Sequence, residues 1–174
     1  DESFNLNEFL EFHAHLERSY PNIERELNKK KIGVSSLLYE WPGTDLKRPA
    51  LMLMAHMDVY PVEDADRSAW ECDPFEGKVD SRYLWGRGSW DDKASLFSIM
   101  EAVESLIEKG WRPERTVFLA LGSDEAVGGT RDVVKIADHL RQRKIEIELM
   151  MVEGLVVTDG ILPGVDRPVA LIGI

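Results

Sequence analysis

Two uninterrupted apolar runs, ALMLMA at 50–55 and TVFLAL at 116–121, constrain the chain most. Both read as strands, the first buried on both faces. Between them, DKASLFSIMEAVESLIEKG (92–110) repeats apolar side chains at the helical period and stops at Gly110, a residue favoured at helix ends. Residues 128–142 read as a further helix and IEIELMMV (145–152) as a further strand. The order β-α-β-α-β predicts an α/β fold, a mostly parallel sheet sandwiched by helices. Ahead of it, NLNEFLEFHAHLERSY sets Leu6, Phe9, Leu10, His13 and Leu16 at helical spacing, followed by Pro21. VSSLLYEW then reads as a strand and PGTDLKRP as a turn. Residues 59–90 show no regular pattern, and a loop of that length inside a domain is usually functional or flexible.

Composition narrows the class. A chain of 174 residues is expected to form one domain with a substantial core. Its 44% apolar and 30% charged content is that of a soluble protein, and no apolar run approaches the roughly 20 residues that span a bilayer. The formal net charge of −11 argues against nucleic acid or an anionic membrane as partner. Cys72 is the only cysteine, so no intrachain disulfide forms and the compartment stays open.

Chemically capable residues gather at the predicted strand ends. AHMD follows the strand 50–55, GSDEA follows 116–121, and VEG follows 145–151. Ligands of open α/β sheets bind beyond the carboxyl ends of the strands, so His56, Asp58, Glu125 and the region of Val152 are expected on one rim. Asp91 would reach it from the start of its helix. His56 with Asp58 fits a metal ligand and the carboxylate that fixes its tautomer, or a merely polar strand end. Asp91 and Asp92 stand where acids also cap a helix and favour its dipole. GRG lacks the spacing of a dinucleotide loop. His13, His15 and His139 fall in helical segments and are expected to pack or face solvent, while Trp70 and Trp90 either line the rim or pack.

The ordered set AHMDVYPV, WECDPFEG, WGRGSWDDK, KGWRPERT, LALGSDEAVGGT and VEG resembles the dizinc aminoacylase and carboxypeptidase family over nearly the whole chain. FHAHLERSYP and GILPGVDRPVALIG are most similar to its carboxypeptidase S and N-acyl amino acid amidase branch. The resemblance implies a zinc-exopeptidase-like fold and a two-zinc amide hydrolase of N-acyl amino acids or small peptides. His56 would bind one zinc, Asp58 would orient it, Asp91 would bridge the two ions, and Glu125 would be the general base. A zinc pair acidifies water and polarises the scissile carbonyl while a carboxylate shuttles the proton.

The sequence departs from the family at named positions. A second glutamate normally follows the strand-end Glu, and here Ala126 stands there. An aspartate ligand normally opens D-E-G, and here the residue is Val152. Asp132 occupies a position where the family favours glycine. The family also continues beyond VALIGI into a lid or dimerisation domain and a C-terminal half with another histidine ligand. One zinc position therefore keeps His56 and Asp91, and the other keeps Asp91 alone. Since catalytic zinc ordinarily has three protein ligands, weak or no zinc binding is expected. Glu153 would replace the missing aspartate only if the strand were shifted, because neighbours point to opposite faces. Losing two clustered carboxylates would also relieve repulsion in a metal-free fold. The resulting expectation is a zinc-dependent amide hydrolase that is impaired or inactive in this chain. The alternative is an inactive pseudoenzyme fragment or trimmed scaffold that binds a ligand or partner. Self-association through an exposed sheet edge at VALIGI is a further expectation.

Overall fold

The computed structural model describes residues 4–154, 157–158, 164–165 and 167–170. Helix α1 (Leu6–Ser19) starts where the Asn5 side chain accepts the Asn7 N–H at 3.1 Å. Pro21 opens α2 (Pro21–Glu26) at a position where its missing N–H costs nothing, so the proline separates two helices instead of ending helical structure. Free N–H groups of Asn22 and Ile23 at that start donate to the Glu104 carboxylate, each at 2.9 Å. Strands β1 (Asn28–Ile32) and β2 (Ser36–Trp41) follow, then β3 (Ala50–His56). The irregular stretch 59–90 holds only α3 (Asp64–Arg67) and an isolated bridge between Val79 and Leu84. Beyond it lie α4 (Lys93–Glu108), β4 (Val117–Gly122), a 3₁₀ turn (Glu125–Val127), α5 (Val133–Gln142) and β5 (Ile147–Met151). Two short strands, β6 (Val157–Thr158) and β7 (Val169–Ala170), pair antiparallel apart from the main sheet.

The main sheet has the order β1-β2-β4-β3-β5. β3 pairs parallel with both β4 and β5, whereas β2 runs antiparallel to β1 and β4. Every strand except β2 therefore points the same way, which gives the expected α/β class in a mixed sheet. Central β4 is buried along its whole length and its alternating side chains feed two cores. Leu119 and Leu121 join Leu16, Ile23, Tyr39, Leu96 and Met100 on the face covered by α1, α2 and α4. Phe118 and Ala120 join Leu38, Met52, Ile136 and Leu140 on the face covered by α5.

Two expectations change in detail, and a third falls largely outside the described residues. ALMLMA is only partly buried, with Leu51, Leu53 and Met54 half-exposed, because β3 lies beside the exposed edge strand β5. The helix expected over 128–142 begins at Val133: Gly128 and Gly129 have φ of 97° and 64°, a left-handed backbone that interrupts the helix. Of VALIGI, only Val169 and Ala170 lie within the described residues, and the expected edge contact there is outside them.

Candidate metal centre

Because β3, β4 and β5 are parallel, their carboxyl ends open on one rim. His56 closes β3 opposite Gly122, the last residue of β4. The β5 ladder stops three residues earlier along β3, at Leu53 opposite Met151. The backbone N–H of His56 instead donates to Asp92 Oδ2 at 3.0 Å. Asp92 and Asp91, just before α4, thus turn their carboxylates to His56, and no side-chain cap bond forms at that helix start. The helix-capping alternative for this pair is set aside.

The His56 side chain is only 3% exposed. Its Nδ1 lies 2.9 Å from the Asp58 carbonyl and 3.3 Å from the Asp58 carboxylate. Such contacts favour a proton on Nδ1 and leave Nε2 to the rim. Nε2 lies 2.9 Å from Asp91 Oδ1 and 3.5 Å from Glu125 Oε2. Burial disfavours a charged imidazole, but hydrogen bonds to Asp58 and Asp91 and the nearby Asp58 and Asp92 charges outweigh it and raise the pKa to about 9. Asp58 also accepts the N–H groups of Glu125 and Ala126, at 3.2 and 2.9 Å, and ties the β4 turn to the end of β3. Burial would raise its pKa, yet the His56 contact and the Ala126 N–H hold it below the usual carboxylate value.

The structure therefore brings His56, Asp58, Asp91 and Glu125 together. Ala126 is buried in the 3₁₀ turn and offers only a methyl, and Val152 lies just past β5 at the same rim. Glu153 also joins them: donor atoms of His56, Asp91 and Glu153 lie within 4.8 Å of one another. Alternation did not prevent this, because paired β5 ends at Met151 and Glu153 stands two residues beyond, where the chain bends. Burial and the Asp92 and Asp91 charges raise the Glu153 pKa. A cavity of about 40 Å³ is bounded by His56, Asp92, Glu125, Val152 and Glu153. Neither Trp70 nor Trp90 lines it: Trp90 is 80% exposed, and Trp70 lies beneath the Arg87 guanidinium at 5.3 Å.

An imidazole nitrogen and two carboxylates suit zinc and meet the usual three-ligand requirement of a catalytic site with an open position. A second ion fits poorly, since position 126 holds a buried alanine whose methyl cannot ligate.

A second carboxylate cluster supports the rim from below. Buried Asp124 accepts the N–H groups of Arg131, Asp132 and Val133, from 2.6 to 2.9 Å, at the start of α5. Buried Asp132 accepts the N–H groups of Val34 and Ser35 and the Ser123 hydroxyl. Gly33 makes room for that contact, because a Cβ there would sit 2.1 Å from Asp132 Oδ1. No motif pointed to this clamp; the only signal was an acid in place of a family glycine.

The family model described as peptidase family M20/M25/M40 matches residues 52–169. The chain belongs to this family. It is 36% identical over 169 residues to a probable carboxypeptidase S-like protein of Dictyostelium discoideum, covering 96% of this chain and 32% of that one. Against carboxypeptidase S of Saccharomyces cerevisiae it is 40% identical over 137 residues, 78% of this chain and 24% of that one. Against an N-fatty-acyl-amino acid synthase/hydrolase of Xenopus tropicalis it is 32% identical over 175 residues, 99% of this chain and 34% of that one. The chain spans about a third or less of these curated relatives. Its fold matches human carnosine dipeptidase 1 with a TM-score of 0.64 at 15% identity, covering 83% of this chain and 33% of that one. An M20 family metallo-carboxypeptidase of Sulfolobus solfataricus matches with 0.61 at 22% identity, covering 83% and 32%. Among the described residues no helix is long and apolar enough to cross a membrane.

Proposed function

We propose that this chain carries the metal-binding and proton-transfer part of an amide hydrolase acting on N-acyl amino acids or small peptides, impaired by the side chains at 126 and 152. The convergence of His56, Asp91 and Glu125 at the strand ends, with Asp58 behind the imidazole, carries this reading. His56 and Asp91 are the residues that would hold zinc. Asp58 keeps the Nδ1 proton in place and the ring turned to the rim. Glu125, half-exposed at its side chain, takes a proton from water at Oε2 and returns it to the leaving amine. Bound zinc supplies Lewis-acid polarisation of the scissile carbonyl and acidifies water. The substrate class follows the relatives, among them a carboxypeptidase and an N-fatty-acyl-amino acid hydrolase.

Amine release from an N-acyl amino acid and from a dipeptide, with zinc and after chelation, tests the reading. Slow zinc-dependent turnover is expected, lowered about 100-fold or more by Glu125→Gln and raised by Ala126→Glu combined with Val152→Asp. Turnover without zinc, or turnover indifferent to Glu125→Gln, overturns it. The buried methyl of Ala126 favours a second reading, an inactive fold that binds without cleaving. Absence of turnover even in the doubly restored variant selects that one.

A further inference from the structure

We infer that the chain binds one metal ion and not two, and that Glu153 supplies the carboxylate ligand that Val152 cannot. This rests on reading the rim as a metal centre and specifies its ion count and ligand set. Among the described residues, His56, Asp91 and Glu153 form the one group of three potential ligands with donor atoms within 4.8 Å of one another.

Two further observations favour an ion at this point. His56 is buried, and its Nδ1 is engaged by Asp58, so Nε2 is the nitrogen presented to the two acids. This is the arrangement in which a carboxylate or carbonyl fixes a histidine as a metal ligand. Carboxylates of Asp58, Asp91, Glu125 and Glu153 lie about one imidazole, with Asp92 on the His56 backbone N–H, so a divalent cation offsets charge that the altered positions leave in place. A second ion would find no ligand at Ala126, whose buried side chain is a methyl. Glu153 thus converts a two-ligand remnant into a three-ligand site for one ion.

The experiment uses the 174-residue chain stripped by a chelator and dialysed. Zinc is titrated by calorimetry and counted by elemental analysis, and cobalt(II) is substituted to read coordination from its visible spectrum. The expected result is one zinc per chain and cobalt bands of a protein-ligated ion. Glu153→Gln is expected to weaken zinc at least about 10-fold and to abolish those bands, with metal-free melting temperature unchanged. Val152→Asp added to Glu153→Gln should recover the affinity. Two zinc ions per chain, no zinc, or one zinc indifferent to Glu153→Gln overturns the inference. These readouts are independent of turnover: one Glu153-dependent zinc in a chain that hydrolyses nothing upholds this inference and removes the proposed activity. Hydrolysis supported by two ions does the reverse.

Discussion

Asp132 shows how one side chain ties the rim to the sheet. Its buried carboxylate holds the backbone of Val34 and Ser35 in the β1–β2 turn and the Ser123 hydroxyl next to the Asp124–Glu125 turn. Asp132→Ala would strand two backbone donors and a hydroxyl away from water, and is expected to cost about 2–4 kcal/mol in urea unfolding. Burial alone would raise the Asp132 pKa, but the N–H groups of Val34 and Ser35, the Ser123 hydroxyl and Lys135 hold it below the usual value. A carboxylate with a depressed folded pKa adds stability that is present above its unfolded value, near 3.9, and lost as pH falls through the folded value. Unfolding free energy should therefore drop as pH is lowered below about 4, and the drop should be shallower in Asp132→Ala. Equal slopes in the two proteins would show that the clamp contributes nothing to acid sensitivity.

At the scale of elements, burial ranks the strands. Phe118 on central β4 is fully buried between Leu38 and Ile136, while Leu149 on edge strand β5 is 62% exposed. Phe118→Ala is expected to cost about 3–5 kcal/mol and Leu149→Ser no more than about 0.5 kcal/mol, read from denaturant midpoints. Costs of similar size would mean that β5 is covered in solution. The same contrast explains what the sequence made legible. The apolar runs around Met52 and Phe118, and the periodic helix from Leu96 to Val103, carry their burial in their own residue types. β1 does not: NKKKI exposes four of its five residues and is a strand because it pairs with β2 in a hairpin, which its own residue types do not announce. α2 was hidden behind Pro21, a helix breaker in the interior and a helix starter at the first position. At the site, His56, Asp58, Asp91 and Glu125 were legible because each stands next to the end of a regular element. Glu153 was not, since its direction is set by a bend after β5 that strand alternation does not describe.

At the scale of the whole molecule, sheet shape and net charge act against each other. Among the described residues β5 has no neighbour on its outer side, and Leu149, Met150, Met151 and the following Val152 are 56% to 62% exposed. An apolar edge with unpaired backbone groups is a template for another strand, and a second copy of this chain presents one in antiparallel orientation. The formal charge of −11 opposes that approach through repulsion, which salt screens over about 10 Å at 0.1 M. Association should therefore be weak at low salt and grow as salt is added, the opposite of a contact built on ion pairs. Light scattering across protein concentration at low and high salt is expected to show mass rising from one chain towards two. Leu149→Lys with Met151→Lys should hold the protein at one chain in both buffers, because two charges on the strand cost desolvation wherever β5 pairs. A wild-type chain that stays at one mass throughout would mean the edge is protected, and the β5 surface would then lose its role as a pairing site.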